Sequence, residues 1–137
     1  MQNTEELQRI TRDVFGFETL RDGQERAIAA LLDGHDVLLV MPTGAGKSAA
    51  YQIPALILDG PTLVISPLIA LQADQVAGLT KRGRRARAHA ISSATTVAKR
   101  RAAWAAVEAG EAEFLFLAPE QLAADDVLER VLSLIHI

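Results

Sequence analysis

The run from Asp36 to Ser48 constrains this chain more than any other: Val37-Leu38-Leu39-Val40 leads through Met41 into Pro42-Thr43-Gly44-Ala45-Gly46 and closes on Lys47-Ser48. A short continuous apolar run bounded by glycine and proline reads as a strand covered on both faces. Gly44 and Gly46 carry no side chain to stop the backbone from curling, so successive N–H groups can point inward at an anion. The turn then feeds a helix start, whose terminus carries about half a positive charge, and Lys47 adds a full one. The Ser48 hydroxyl suits a magnesium ion. Together, Pro42, Thr43, Gly44, Ala45, Gly46, Lys47 and Ser48 describe a cradle for a nucleoside triphosphate. The strict pattern places a further glycine six residues before the lysine, where this chain has Met41. Many reaction classes share such a loop, so the loop alone leaves the chemistry open.

With 137 residues, half of them hydrophobic, the chain can bury one core and is about one domain long. The absence of cysteine excludes disulfides and thiolate metal sites and fits a reducing compartment. The amino terminus is acidic and polar rather than basic then apolar, so no secretory leader is expected. The apolar stretch from Ala49 to Leu58 is too short for a membrane span and is broken by Gln52 and Pro54. A soluble cytoplasmic protein without membrane partners is expected.

The net charge of −3 conceals an asymmetry. No acidic residue falls between Asp74 and Glu108, whereas Lys81, Arg82, Arg84, Arg85, Arg87, Lys99, Arg100 and Arg101 all do. Such a segment either meets nucleic-acid phosphates or forms a solvated face, and charge alone does not choose. Trp104, at helical spacing from Val97 and Val107, reads as core rather than as a stacking platform.

Strands and helices alternate along the rest. Asn3 or Thr4 can cap a first helix carrying Leu7, Ile10 and Val14 on one stripe, and Asp22 with Glu25 opens a second, closed by Gly34. The strand Val37 to Met41 follows, then a helix from Lys47 to about Leu58 that Pro54 should kink or shorten. Further strands are expected at 62–66, 86–91 and 113–117, with a Pro67-started helix and a helix over 95–109 between them. Apolar strands interleaved with helices specify a parallel sheet covered on both sides, a three-layer α/β domain.

Four motifs, in order, carry a resemblance. They are Phe15 to Glu25, Met41 to Leu56, Ser66-Pro67-Leu68-Ile69-Ala70-Leu71 continuing to Val76, and Phe116-Leu117-Ala118-Pro119-Glu120-Gln121-Leu122. Together they resemble the start of a RecQ-family ATP-dependent DNA helicase of the DEAD/DEAH-like superfamily 2, over nearly the whole chain up to about Arg130. The resemblance implies a RecA-like nucleotide-binding fold with a mainly parallel sheet. It also implies organisation into amino-terminal helices with an adenine-recognition motif (1–35), part of a first motor domain (36–131) and a tail that fits no family motif (132–137). His136 in that tail carries no weight.

By resemblance, Gln24 hydrogen-bonds the adenine edge while Phe17 and Arg21 stack on its faces, chemistry that an amide, a ring and a guanidinium plane suit. Read without the family, Gln24 is an exposed residue in the first turn of a helix. Lys47 is the catalytic residue, neutralising the β and γ phosphates of ATP, and Ser48 ligates Mg2+. The nucleic-acid side comprises Ser66, Pro67 and Leu68, then Ser92 and Ser93, then Pro119 and Glu120. Read locally, these are a proline-initiated helix and caps. The resemblance further implies ATP hydrolysis coupled to 3′–5′ unwinding, acting on single-stranded and duplex DNA in recombination and repair. The family's Asp-Glu-Ala-His strand lies beyond the last residue, so this chain alone is expected to be a poor or inactive ATPase. Glu120 is no substitute, because it follows Pro119 one strand early. The competing readings are an ATPase of another phosphate-loop group without a nucleic-acid substrate, and a fragment without function.

Overall fold

The computed structural model describes residues 2–42, 46–81 and 87–135. The calls on Thr43, Gly44 and Ala45, on Arg82, Arg84, Arg85 and Ala86, and on His136 lie outside the described residues. The chain divides into two compact units, Met1–Asp59 and Gly60–Ile137.

The first unit is helical. Helix α1 (Gln2–Arg9) continues into a π-helical turn (Ile10–Val14) that buries Ile10 and Thr11. The helix therefore begins ahead of Asn3 and Thr4, the expected caps. Helix α2 (Asp22–Leu32) starts where Gln24 Oε1 accepts the Arg21 N–H at 2.9 Å. The cap thus lies one residue earlier than expected, and Gln24 rather than Glu25 supplies the return bond. Its C-terminus is a Schellman turn: His35 N–H reaches the Ala30 carbonyl at 2.9 Å and Gly34 N–H reaches Leu31 at 3.1 Å. Gly34 sits at φ +84°, which a Cβ would penalise.

Helix α3 (Ala49–Ala55) packs on α2 and carries Pro54 inside it. It is the shortened helix that the proline was expected to produce, since Pro54 brings no amide proton to continue the ladder.

The strand expected at Val37 to Met41 does not form: residues 35–42 are irregular and belong to no sheet. Leu38 is 92% and Val40 84% exposed. The reading of this run as a strand covered on both faces is corrected accordingly. Its apolar side chains satisfy one condition for a central strand, but among the described residues no strand completes its backbone hydrogen bonds.

The second unit holds the sheet. Strands β1 (Thr62–Ile65), β2 (Ala88–Ile91) and β3 (Phe114–Leu117) run parallel in the order β1-β3-β2. Helix α4 (Ile69–Thr80) crosses from β1 to β2, and α5 (Val97–Glu108) from β2 to β3. A 3₁₀ turn (Pro119–Ala123) and helix α6 (Asp125–Ile135) follow. Helix α6 runs through Leu132 and Ser133, which had matched no motif. The sheet and its crossovers are those of a RecA-like α/β fold, as expected.

Because β3 is central, all four of its residues are at most 1% exposed. Alternation sends Leu115 and Leu117 to one face, where they cluster with Ile91, Ala103, Trp104, Val107, Val127 and Val131 of β2, α5 and α6. Phe114 and Phe116 face the other way, their rings 6.4 Å apart. Trp104 is core as expected, whereas Val97, on the same expected stripe, is 72% exposed. Helix α5 begins only at Val97, with Thr96 Oγ1 capping it by accepting the Lys99 N–H at 3.2 Å. That places Val97 in the first turn, before the buried face begins.

Candidate functional site

In the first unit, Gln24 and Gly46, far apart in sequence, meet. Gln24 is 5% exposed. Its Nε2 donates to the Gly46 carbonyl at 2.8 Å, while its Oε1 holds the Arg21 N–H. The local reading of Gln24 as an exposed first-turn residue is thereby overturned.

This contact orients the loop. The Gly46 carbonyl also accepts the Ala49 N–H at 3.2 Å, so both of its lone pairs are engaged. No peptide bond here is cis. In a trans peptide the carbonyl and the next N–H point in opposite directions. Drawing the Gly46 carbonyl toward α2 therefore turns the Lys47 N–H away from it, where it can serve as a donor.

Gly46 is required twice over. It lies at φ +78°, and a Cβ there would stand 2.5 Å from Gln24 Nε2. Gln24 thus occupies the space that the missing side chain leaves.

Met41, where the strict loop pattern has glycine, also has a packing role. A Cβ on Gly23 would lie 3.7 Å from its sulfur and 4.0 Å from Leu39 Cδ1, ordinary contact distances. The loop's entry thus rests on the first turn of α2.

Lys47 is exposed and Ser48 half-buried, both in the turn before α3. Ser48 lies ahead of the helix, and its carbonyl accepts the Gln52 N–H at 3.0 Å. Phe17 is half-buried, its ring stacked on Phe15 at 6.3 Å, and Arg21 is exposed. The cleft of about 480 Å³ in this unit is lined by Leu7, Thr11, Glu18, Leu20 and their neighbours rather than by Phe17, Arg21 or Lys47. Among the described residues no cluster of His, Asp or Glu could hold a metal ion by itself.

In the second unit the three expected nucleic-acid motifs fall at one edge. Ile65, Leu117 and Ile91 lie in register, so Ser66, Ala118 and Ser92 follow side by side at the carboxyl ends of the parallel strands. The ladder extends to them: Ser66 N–H reaches Leu117 at 3.0 Å and Ala118 N–H reaches Ile91 at 3.1 Å. Pro67, Leu68, Ser93, Pro119 and Glu120 are exposed there.

Ser92 differs from its neighbours. It is 3% exposed, and its hydroxyl accepts the Ala94 N–H at 3.2 Å, so it shapes the turn while Ser93 presents a hydroxyl to solvent. Ser66 Oγ accepts the Leu68 N–H at 3.4 Å, an internal turn of the same kind.

Three residues without an expected role hold this edge. Gln72 of α4, 1% exposed, donates to the Ser66 carbonyl at 2.6 Å. Arg100 of α5 donates to Gln121 and to the Ser92 carbonyl. No spacing rule points to Gln72 or Gln121, and Arg100 was submerged in the basic run.

Among the described residues no helix is long and apolar enough to cross a membrane. Residues 21–135 match the DEAD/DEAH box helicase family. The chain is 40% identical over 122 residues to the ATP-dependent DNA helicase RecQ of Haemophilus influenzae, covering 89% of itself and 19% of that protein. It is 39% identical over 127 residues to the probable ATP-dependent DNA helicase RecS of Bacillus subtilis, covering 93% of itself and 25% of the relative. A RecQ of Pasteurella multocida shares 43% over 113 residues, 82% of this chain and 18% of that one. The chain thus spans a quarter or less of the length of these relatives. A glycine-bearing turn braced by a glutamine, a parallel sheet with its motifs on one edge, and a family match over most of the sequence agree: the chain belongs to the DEAD/DEAH box helicase family, with RecQ-type helicases among its relatives.

Proposed function

We propose that this chain is the ATP-binding part of a RecQ-like DNA helicase that couples ATP hydrolysis to 3′–5′ unwinding in the cytoplasm. The observation that carries the reading is the Gln24 to Gly46 hydrogen bond, which joins the base-reading motif to the phosphate-binding one.

The residues fit a magnesium nucleotide. Gly46 adopts a left-handed turn that leaves no room for a Cβ, and the adjacent Lys47 is exposed, with a side chain long enough to meet the terminal phosphates. Magnesium would be held by the Ser48 hydroxyl together with phosphate oxygens, and would supply charge neutralisation. Gln24 retains one N–H and one acceptor lone pair beyond its two internal bonds, the pair an adenine edge requires. Phe17 and Arg21 supply the planar groups for its faces. The same glutamine therefore senses the base and sets the loop.

For DNA, the exposed row at the strand ends offers the Ser93 hydroxyl as a donor to phosphate and the apolar surfaces of Pro67, Leu68 and Pro119 to the sugars, while the Glu120 carboxylate can only accept and so does not meet phosphate. Repair and recombination of DNA follow from that activity.

Titration calorimetry with magnesium ATP and magnesium GTP tests the nucleotide site. Lys47→Ala is expected to weaken ATP binding about 10- to 100-fold, the effect of a lost hydrogen bond to a charged group. Gln24→Ala is expected to erase the preference for ATP over GTP. Unchanged ATP affinity in Lys47→Ala would remove the proposed site.

A further inference from the structure

The turn after β2 and the turn after β3 are separate in sequence yet tied by one side chain. Arg100 Nη1 donates to Gln121 Oε1 at 2.6 Å, and Nη2 donates to the Ser92 carbonyl at 3.3 Å. Both partners are buried, Ser92 at 3% and Gln121 at 8% exposure.

The placement follows from the helix. Thr96 caps α5, and the Arg100 N–H bonds to the Thr96 carbonyl at 2.9 Å, so Arg100 stands at the end of the first turn. Side chains on a helix lean toward its amino terminus, which carries the guanidinium back over the Ser92 turn. Its planar fork then reaches two acceptors in two directions, a geometry that a lysine ammonium does not reproduce. Neither acceptor is charged, and among the described residues no carboxylate pairs with Arg100.

The turns on either side are already ordered locally. Thr95 Oγ1 accepts the Ser92 N–H at 2.9 Å, and Ala124 N–H reaches the Gln121 carbonyl at 3.2 Å. The ladder sets the two strand ends side by side, its last bond running from Ala118 N–H to the Ile91 carbonyl at 3.1 Å; beyond it, the turns themselves are joined by the Arg100 side chain.

We infer that Arg100 is a positioning residue that couples these two turns, so that Ser93 and the Pro119-Glu120 pair form one preset surface. The role toward DNA rests on the function proposed above; the coupling itself does not. Arg100 acts through Ser92 and Gln121, and its charge adds to the attraction of that edge for phosphate.

Amide hydrogen exchange on the whole chain tests the coupling. Arg100→Ala is expected to speed exchange about tenfold in both 92–96 and 119–123, as for one lost charge-assisted hydrogen bond. Gln121→Ala touches no atom of the first turn and is nonetheless expected to speed exchange there. The exchanged pair Arg100→Gln with Gln121→Arg restores the bond and is expected to restore protection. Should Gln121→Ala loosen only its own turn, the inference is overturned; should Arg100→Ala fail to fold, Gln121→Ala and the exchanged pair carry the same decision.

Anisotropy of a labelled oligothymidylate then reads the consequence. Gln121→Ala removes no charge, so it is expected to weaken binding severalfold with the salt dependence unchanged, and the exchanged pair to recover it. Intact exchange coupling without any DNA binding by the unaltered chain would leave the Arg100 link standing and remove the proposed DNA role of this edge. Normal binding by Gln121→Ala, alongside weak binding by Arg100→Ala, would reduce Arg100 to a charge contact and overturn its positioning role.

Discussion

Two runs of this chain are four residues long and wholly apolar, yet have opposite fates. Phe114-Leu115-Phe116-Leu117 forms β3, at most 1% exposed throughout, whereas Val37-Leu38-Leu39-Val40 forms no strand and leaves Leu38 92% exposed. Each could tolerate burial on both faces. The difference lies in the backbone: β3 has a parallel neighbour on each side, while among the described residues the other run pairs with no strand. An apolar run records what a segment can tolerate, and the ladder decides whether it is buried.

The contrast predicts unequal mutational costs. Phe116→Ala should cost about 3–5 kcal/mol in urea unfolding, because a large aromatic leaves a cavity in a packed layer. Leu38→Ala should stay within about 0.5 kcal/mol, as for a surface position. A comparable loss at Leu38 would show that the run is covered in solution.

A smaller effect is expected at the phosphate loop. Gly46→Ala must hold an alanine at φ +78° against Gln24, a strain of about 1–3 kcal/mol. Gln24→Ala removes the obstacle but leaves the Arg21 N–H without its partner, so the double variant should lose less than the sum of the singles. Additive losses would mean that the two residues do not meet.

The smallest effect concerns pH. Burial pushes the Tyr51 phenol above its ordinary 10.0, with a hydrogen bond from Gln52 acting weakly in the opposite direction. The folded state therefore retains the proton more tightly than the unfolded one, so this contribution is complete below pH 10.0 and is lost as pH rises through the elevated value. Melting temperature should fall more steeply above that pH in the parent chain than in Tyr51→Phe.

Much of the fold was legible because its signals are local. Strands β1 and β3 lie where apolar runs meet turn residues, Gly34 closes α2, Pro54 shortens α3, and Trp104 enters the core. The strand at Val37 to Met41 failed because periodicity carries no information on pairing. Val97 failed because the helix began two residues later than expected, which left it in the first turn, ahead of the buried stretch. In the site, the loop residues were visible from spacing, and the edge motifs from resemblance. That the Ser92 hydroxyl turns inward was not legible, because a serine beside a strand looks the same whether its hydroxyl turns out or in.

The sequence by itself determined the glycine-bearing loop with its lysine and serine, the alternation of strands and helices from Thr62 onward, and the motifs shared with RecQ-like helicases. These depend on residues within a few positions of one another, where steric freedom, capping and side-chain period act. Only the tertiary structure decided that Gln24 braces Gly46 and that Arg100 spans Ser92 and Gln121. Those bonds join residues 22 and 21 positions apart. Whether a buried polar group finds its partner across such a distance depends on how helices and strands pack, and no local rule contains that.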